Sequence, residues 1–150
     1  MRIVKILIWI VVGLALLIAV AGYVLAQKSQ DGAAPGLVDG VLSSCPDKPN
    51  CVVSEAGASS QHQIDPFPVA AWATLPAAID DVGGGIVSTE PAYIAATFRS
   101  PLMGFVDDVE FRLAEDVVHV RSASRVGHED LSANRERIEA IRQALSGCCE

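Results

Sequence analysis

Two alternating segments, residues 105–113 and 117–126, constrain this chain more than any other feature. In an extended strand, Phe105, Asp107, Val109, Phe111 and Leu113 share one side of the first segment. Val118, Val120, Ser122, Ser124 and Val126 share one side of the second. Closing a hairpin at Glu115-Asp116 pairs Leu113 with Val118, Phe111 with Val120, Val109 with Ser122 and Asp107 with Ser124. Both apolar sets then fall on one face, as a half-buried antiparallel pair requires. A four-residue loop over 114–117 keeps this register and suits Glu-Asp better than a two-residue turn. The opposite face pairs Glu110 with Arg121, which reads as an ordinary surface ion pair.

The rest of the chain supplies the partners. Residues 86–90 and 93–99, rich in β-branched and aromatic side chains, predict two short strands separated near Pro91. Over 66–82, Trp72, Leu75 and Ile79 recur at helical spacing, Thr74 can cap, Pro76 sits early, and Gly83-Gly84-Gly85 ends the pattern. A last helix is expected over about 131–145, with Leu131, Ile138, Ile141 and Leu145 as its inner stripe. Asp130 or Ser132 can cap it, Asn134 falls on the inward stripe, and Arg135 with Glu139 forms a local i,i+4 pair. Residues 42–65 have no clean period and read as irregular chain. Strands that run consecutively between helices predict an α+β fold, a mainly antiparallel sheet of about four strands packed with two helices.

Ahead of this domain lies a charge-free run, residues 6–26. As a helix it is roughly 30 Å long, enough to cross a bilayer core. Arg2 and Lys5 precede it, so the positive-inside rule puts residues 1–5 in the cytoplasm. The expectation is a single-pass anchor in the inner (plasma) membrane, a flexible tether over 27–41, a domain over 42–146 in the periplasm or outside, and a tail over 147–150. A signal peptide is the rival reading, because Ala19-Val20-Ala21 and Val24-Leu25-Ala26 resemble cleavage sites. Both readings export the domain. All 18 acidic residues and nine of the 11 basic ones follow Ala26, so that part carries a formal charge of about −9. Nucleic acid is a poor partner for such a surface.

In an oxidising compartment, Cys45 and Cys51 flank the turn-forming Pro46-Asp47-Lys48-Pro49-Asn50. A local disulfide is the leading reading; a metal or redox role and free thiols are the alternatives. Cys148-Cys149 reads as a tail pair or an intermolecular link.

The same residues carry a family resemblance. Cys45-Pro46 and Pro49-Asn50-Cys51-Val52 come first, then Gly104-Phe105 with Asp107-Asp108-Val109-Glu110-Phe111. The run from Val120 to Gly127 follows, then Asp130-Leu131, Asn134-Arg135 and Arg137-Ile138-Glu139. The chain resembles the domain of unknown function family 1499 over about residues 42–145. Val53 stands where that pattern usually has serine, and Ser132 where it usually has glycine. The resemblance implies a bacterial or plastid-type exported or membrane-linked domain, and no particular reaction.

Candidate chemistry concentrates on the hairpin's apolar face. Asp107, Ser122 and Ser124 sit where a plain core wants Val or Ile, and a buried carboxylate must be paired. With Asn134 they can form a small polar pocket edged by Arg125 and Arg135. The alternative is a satisfied network that ties the last helix to the sheet. Arg99, Arg121, Arg125, Arg135 and Arg137 form a second group suited to anionic head groups. Neutralisation by Asp108, Glu110, Glu136 and Glu139 is the expected competing role. His62, His119 and His128 are scattered, and no phosphate loop, dinucleotide fingerprint or metalloprotease motif is present. No metal or cofactor is expected. The leading functional reading is a membrane-anchored extracytoplasmic module that binds a small ligand, a lipid head group or an envelope protein. A small hydrolase using Asp107 with Ser122 or Ser124, and a cysteine-based metal or redox protein, are the alternatives.

Overall fold

Alternation is the rule along the sheet, and it sets which side chains meet which layer. The computed structural model describes residues 2–147, so the expectations for Cys148 and Cys149 lie outside the described residues. A long helix, α1 (Arg2–Gln30), comes first. A small hairpin of β1 (Leu37–Val38) and β2 (Val41–Leu42) follows, then β3 (Cys51–Val53) and β4 (Phe67–Pro68). A short 3-10 turn leads into α2 (Leu75–Asp81). The strands β5 (Gly85–Glu90), β6 (Tyr93–Arg99), β7 (Val106–Leu113) and β8 (Val117–Ser124) run consecutively, and α3 (Ala133–Gly147) closes the chain.

The fold class is α+β as expected, with a larger sheet. Six strands join it in the order β3-β8-β7-β6-β5, and β4 also pairs with β8. The β7–β8 register is the one that alternation predicts: Asp107 faces Ser124, Glu110 faces Arg121 and Leu113 faces Val118. The 114–117 loop closes with Ala114 N–H donating to the Val117 carbonyl at 2.9 Å. The added strands β3 and β4 share the free side of β8, and both pair antiparallel with it. Two or three residues carry too little periodicity to announce a strand; a distant partner creates it.

The inner face packs on α2 and α3. Val109, Phe111, Val118 and Val120 meet Leu75 and Ile79 from α2 and Ile138 and Ile141 from α3, all fully buried. Gly84 lets the chain leave α2 tightly against β6. A Cβ there would lie 2.5 Å from Phe98 Cζ and 2.7 Å from Ile79 Cγ2.

Three expectations need correction. Leu131 lies outside α3 and is 89% exposed, because Leu131 and Ser132 take left-handed φ of 53° and 68° and turn the chain away from the core. Arg135 does not pair with Glu139: it donates to the Gln61 and Gln63 carbonyls, and Glu139 pairs with Arg142. The stretch 27–41, expected as a tether, is bonded to the domain at several points. Ser29 is buried and its hydroxyl accepts from Val106 N–H at 3.0 Å. Gly36 N–H donates to Glu110 at 2.8 Å. Ala34 packs on the outer-face cluster of Leu42, Val53, Tyr93 and Ala95.

α1 is long and apolar enough, by length and composition, to cross a membrane. Cys45 and Cys51 form a disulfide, with Cα atoms 5.7 Å apart, that staples the arm beside β3.

Candidate functional site

The polar layer is assembled from β7, β8, the start of β3 and the first turns of α3. Pairing places Asp107, Ser122 and Ser124 on the inner face. α3 starts where Asp130 takes its backbone donors: the carboxylate accepts from Ser132 N–H at 3.1 Å and Asn134 N–H at 2.9 Å. That cap aims Asn134, fully buried, at the sheet.

Asn134 is the hub. Its Oδ1 accepts from the Ser122 hydroxyl at 2.5 Å and from Arg137 Nη1 at 2.7 Å. Its Nδ2 has two hydrogens and lies within reach of three oxygens. These are the Asn50 carbonyl at 3.0 Å, Ser124 Oγ at 3.0 Å and Asp130 Oδ2 at 2.7 Å. The Asn50 carbonyl also accepts from Ser124 N–H at 3.0 Å, which locks the disulfide loop to the end of β8.

Arg137 closes the layer. Its Nη2 donates to Asp107 Oδ2 at 2.6 Å and its Nη1 to Ser122 Oγ at 3.1 Å. The guanidinium lies 4.9 Å from the centre of the Phe98 ring. In the sequence Arg137 reads as one of five arginines with acidic neighbours. Its spacing of three from Asn134 is the signal that places it on the same helical face.

The structure therefore brings together Asp107, Ser122, Ser124 and Asn134, and adds Arg137, Asp130 and Asn50. Arg125 and Arg135 go elsewhere. Arg125 points to the outer face, where its fork grips Asp108 at 2.7 and 2.8 Å and its Nη1 donates to the Ser29 carbonyl of α1 at 3.0 Å. A cation at the carbonyl end of a helix is favourable. The Asp108 bond raises the Arg125 pKa further above its usual value, against the opposing effect of burial. Arg135 ties α3 to the loop before β4.

The outer face carries its own polar row, and Glu110 and Arg121 are no surface pair. Glu110 is fully buried and accepts from Arg121 Nη1 at 3.0 Å, from Tyr93 OH at 2.8 Å and from Gly36 N–H. Burial and the bond to Glu110 push the Tyr93 hydroxyl pKa up. One row further, Arg112 grips Glu55 with a fork at 2.7 and 2.9 Å. Burial works to raise the Glu55 pKa, but Arg112, the Leu42 N–H and His119 together hold it below the usual carboxylate value.

Two concavities flank these rows. A cleft of about 820 Å³ opens on the arm side, with Val38, Leu42, Asp47, Glu55 and His62 among its walls. A smaller one of about 240 Å³ has Asp107, Ser124 and Asp130 on one side and Leu25 of α1 on the other. His62 hydrogen-bonds Ser59 and the Lys48 carbonyl, and His119 bonds Ser54, so neither joins Asp107 and the serines.

A family model described as "Protein of unknown function (DUF1499)" matches residues 41–145. Neither the curated proteins nor the solved structures contain a match to this chain.

Proposed function

The chain belongs to the DUF1499 family of proteins of unknown function, and from that premise we propose that it is a membrane-anchored extracytoplasmic binding or interaction module. In this reading residues 6–26 anchor it in the inner membrane with residues 1–5 in the cytoplasm, and 42–146 form the domain on the far side. The apolar helix, Arg2 and Lys5 ahead of it, and the disulfide support that placement.

One observation carries the choice of a module over an enzyme: the inner polar layer is bonded to itself. Ser122 and Asn134 are fully buried and engaged with one another, and Asp107 is held by Arg137. A nucleophilic serine needs a general base within reach; Ser122 instead donates to an amide oxygen. Ser124 and Asp107 do border the small cavity, which is the observation that favours the hydrolase reading. An envelope protein or a small ligand is the partner class for the module.

Membranes from cells expressing the full chain test the placement. The protein is expected to stay in the pellet after alkaline carbonate. A cysteine introduced as Asp116→Cys should react with an impermeant maleimide from outside. Recovery in the soluble fraction, with a mass beginning after Ala21 or Ala26, replaces the anchor with a cleaved signal. Turnover of a chromogenic ester that disappears in Ser124→Ala would establish the hydrolase in place of the module.

A further inference from the structure

Resting on the membrane-anchored reading, we infer that the domain sits in the bilayer surface on an apolar rim. Loop 100–104 and the tip of loop 127–132 form this rim beside α1. The lipid bilayer that α1 crosses is its occupant. The carrying observation is a contact: Met103 Cε lies 3.0 Å from the position a Cβ would take on Gly22. Gly22 is inside the charge-free run and six residues before Lys28, so it lies about 9 Å down the helix axis from that charge. A loop packed on that turn shares the depth of the apolar run.

The composition of the rim fits that depth. Residues 100–106 carry no charge. Leu102 is 90% exposed, as is Leu131 at 89%. Leu131 and Ser132 are held in left-handed backbone that L residues avoid, and the leucine points out of the domain. Both loops reach the flank of α1 together, since Ser100 from the first and Gly127 from the second border the cavity that includes Leu25. The opposite end of the same hairpin is different. There Glu115 and Asp116 make an exposed acidic turn, about 25 Å away along the eight residues of β7.

The rim is also held in place. Ser29 bonds Val106, and Arg125 bridges Asp108 to the last carbonyls of α1. The loops therefore move with the helix. Charged side chains avoid hydrocarbon, so Glu129 keeps the second loop at headgroup level and Leu131 alone reaches deeper.

The test uses the full chain with Cys148→Ser and Cys149→Ser and the native disulfide intact. Single cysteines at Leu14→Cys, Leu102→Cys and Asp116→Cys each carry a nitroxide, in vesicles of phosphatidylcholine and phosphatidylglycerol. Electron paramagnetic resonance power saturation then compares dissolved oxygen with an aqueous nickel chelate. The expected result is oxygen preference at 14 and 102, and nickel preference at 116. A label at 102 that behaves like 116, while 14 stays lipid-like, overturns the rim and leaves the anchor standing. Nickel access at 14 overturns both. Shielding of 102 from both reagents means a protein surface covers it, which also overturns the inference. Leu131→Cys gives a second, independent reading of the rim should the 102 variant misfold.

Discussion

On one face of the β7–β8 hairpin, polar side chains form a small network under a helix; on the other, they form a row of ion pairs under the N-terminal arm. The inner network is largely neutral, centred on Asn134, and its one charge pair, Asp107 with Arg137, sits at the edge with 14% of each side chain exposed. The outer row is fully ionic at its centre, where Glu110 has no exposure and Arg121 little. Arg121 Nε is buried there without a hydrogen-bond partner among the described residues. The difference teaches where each face is vulnerable. A neutral network loses hydrogen bonds when cut; a buried ion pair leaves an uncompensated charge.

Cutting the outer row should therefore do the most damage. Glu110→Ala is expected to cost about 3–5 kcal/mol, the usual penalty for orphaning a buried charge. Denaturant unfolding of the detergent-solubilised full chain would show it, and a loss under about 1 kcal/mol would mean the arm leaves this face wet. Next comes Asn134→Ala. It removes one hydrogen-bond partner each from Ser122, the Asn50 carbonyl and Arg137, for an expected loss of roughly 2–3 kcal/mol in the same measurement. Asp107→Ala sharpens the contrast between network and pocket, with an expected cost of about 1–2 kcal/mol. An unchanged melting temperature would instead free the carboxylate for a ligand.

The outer row should also respond to acid. Glu55 has a folded pKa below its ordinary 4.5. Its contribution is therefore fully present above that value and fades as the pH falls through the folded pKa. A pH series of unfolding midpoints should show this loss, and Glu55→Gln should flatten it. The smallest effect is a gain. Ser132 takes φ +68°, so Ser132→Gly should relieve left-handed strain and stabilise the fold by about 0.5 kcal/mol, net of glycine's entropy cost. A lower midpoint in the same assay would mean that the serine hydroxyl contributes more than the strain costs.

Much of this fold was legible because it depends on local period. Alternation in 105–113 and 117–126 places Asp107 opposite Ser124 and Glu110 opposite Arg121, and the pairing is found as expected. The helical stripe that sends Asn134 inward holds as well. The candidate site was less complete, since Arg137 read as one surface arginine among five, and Arg125 was assigned to the wrong side of the sheet. Odd and even positions of a strand point to opposite faces. Arg125, one residue past β8, keeps the parity of Ala123 and Arg121 and so meets Asp108 on the outer face, away from the pocket it was expected to edge.

The sequence by itself determined the register, the inward layer, the fold class and a helix able to span a bilayer. Each follows from a repeat of two or 3.6 residues or from a run without charge. Only the tertiary structure decided that the outer face is buried, that β3 and β4 complete the sheet, and that α1 is clamped to the domain through Arg125. Those outcomes depend on contacts between residues some 50 to 100 positions apart, such as Phe67 with Val118, Gly36 with Glu110 and Ser29 with Arg125. No local period records a partner at that distance, because burial belongs to the assembled surface and not to the strand that supplies it.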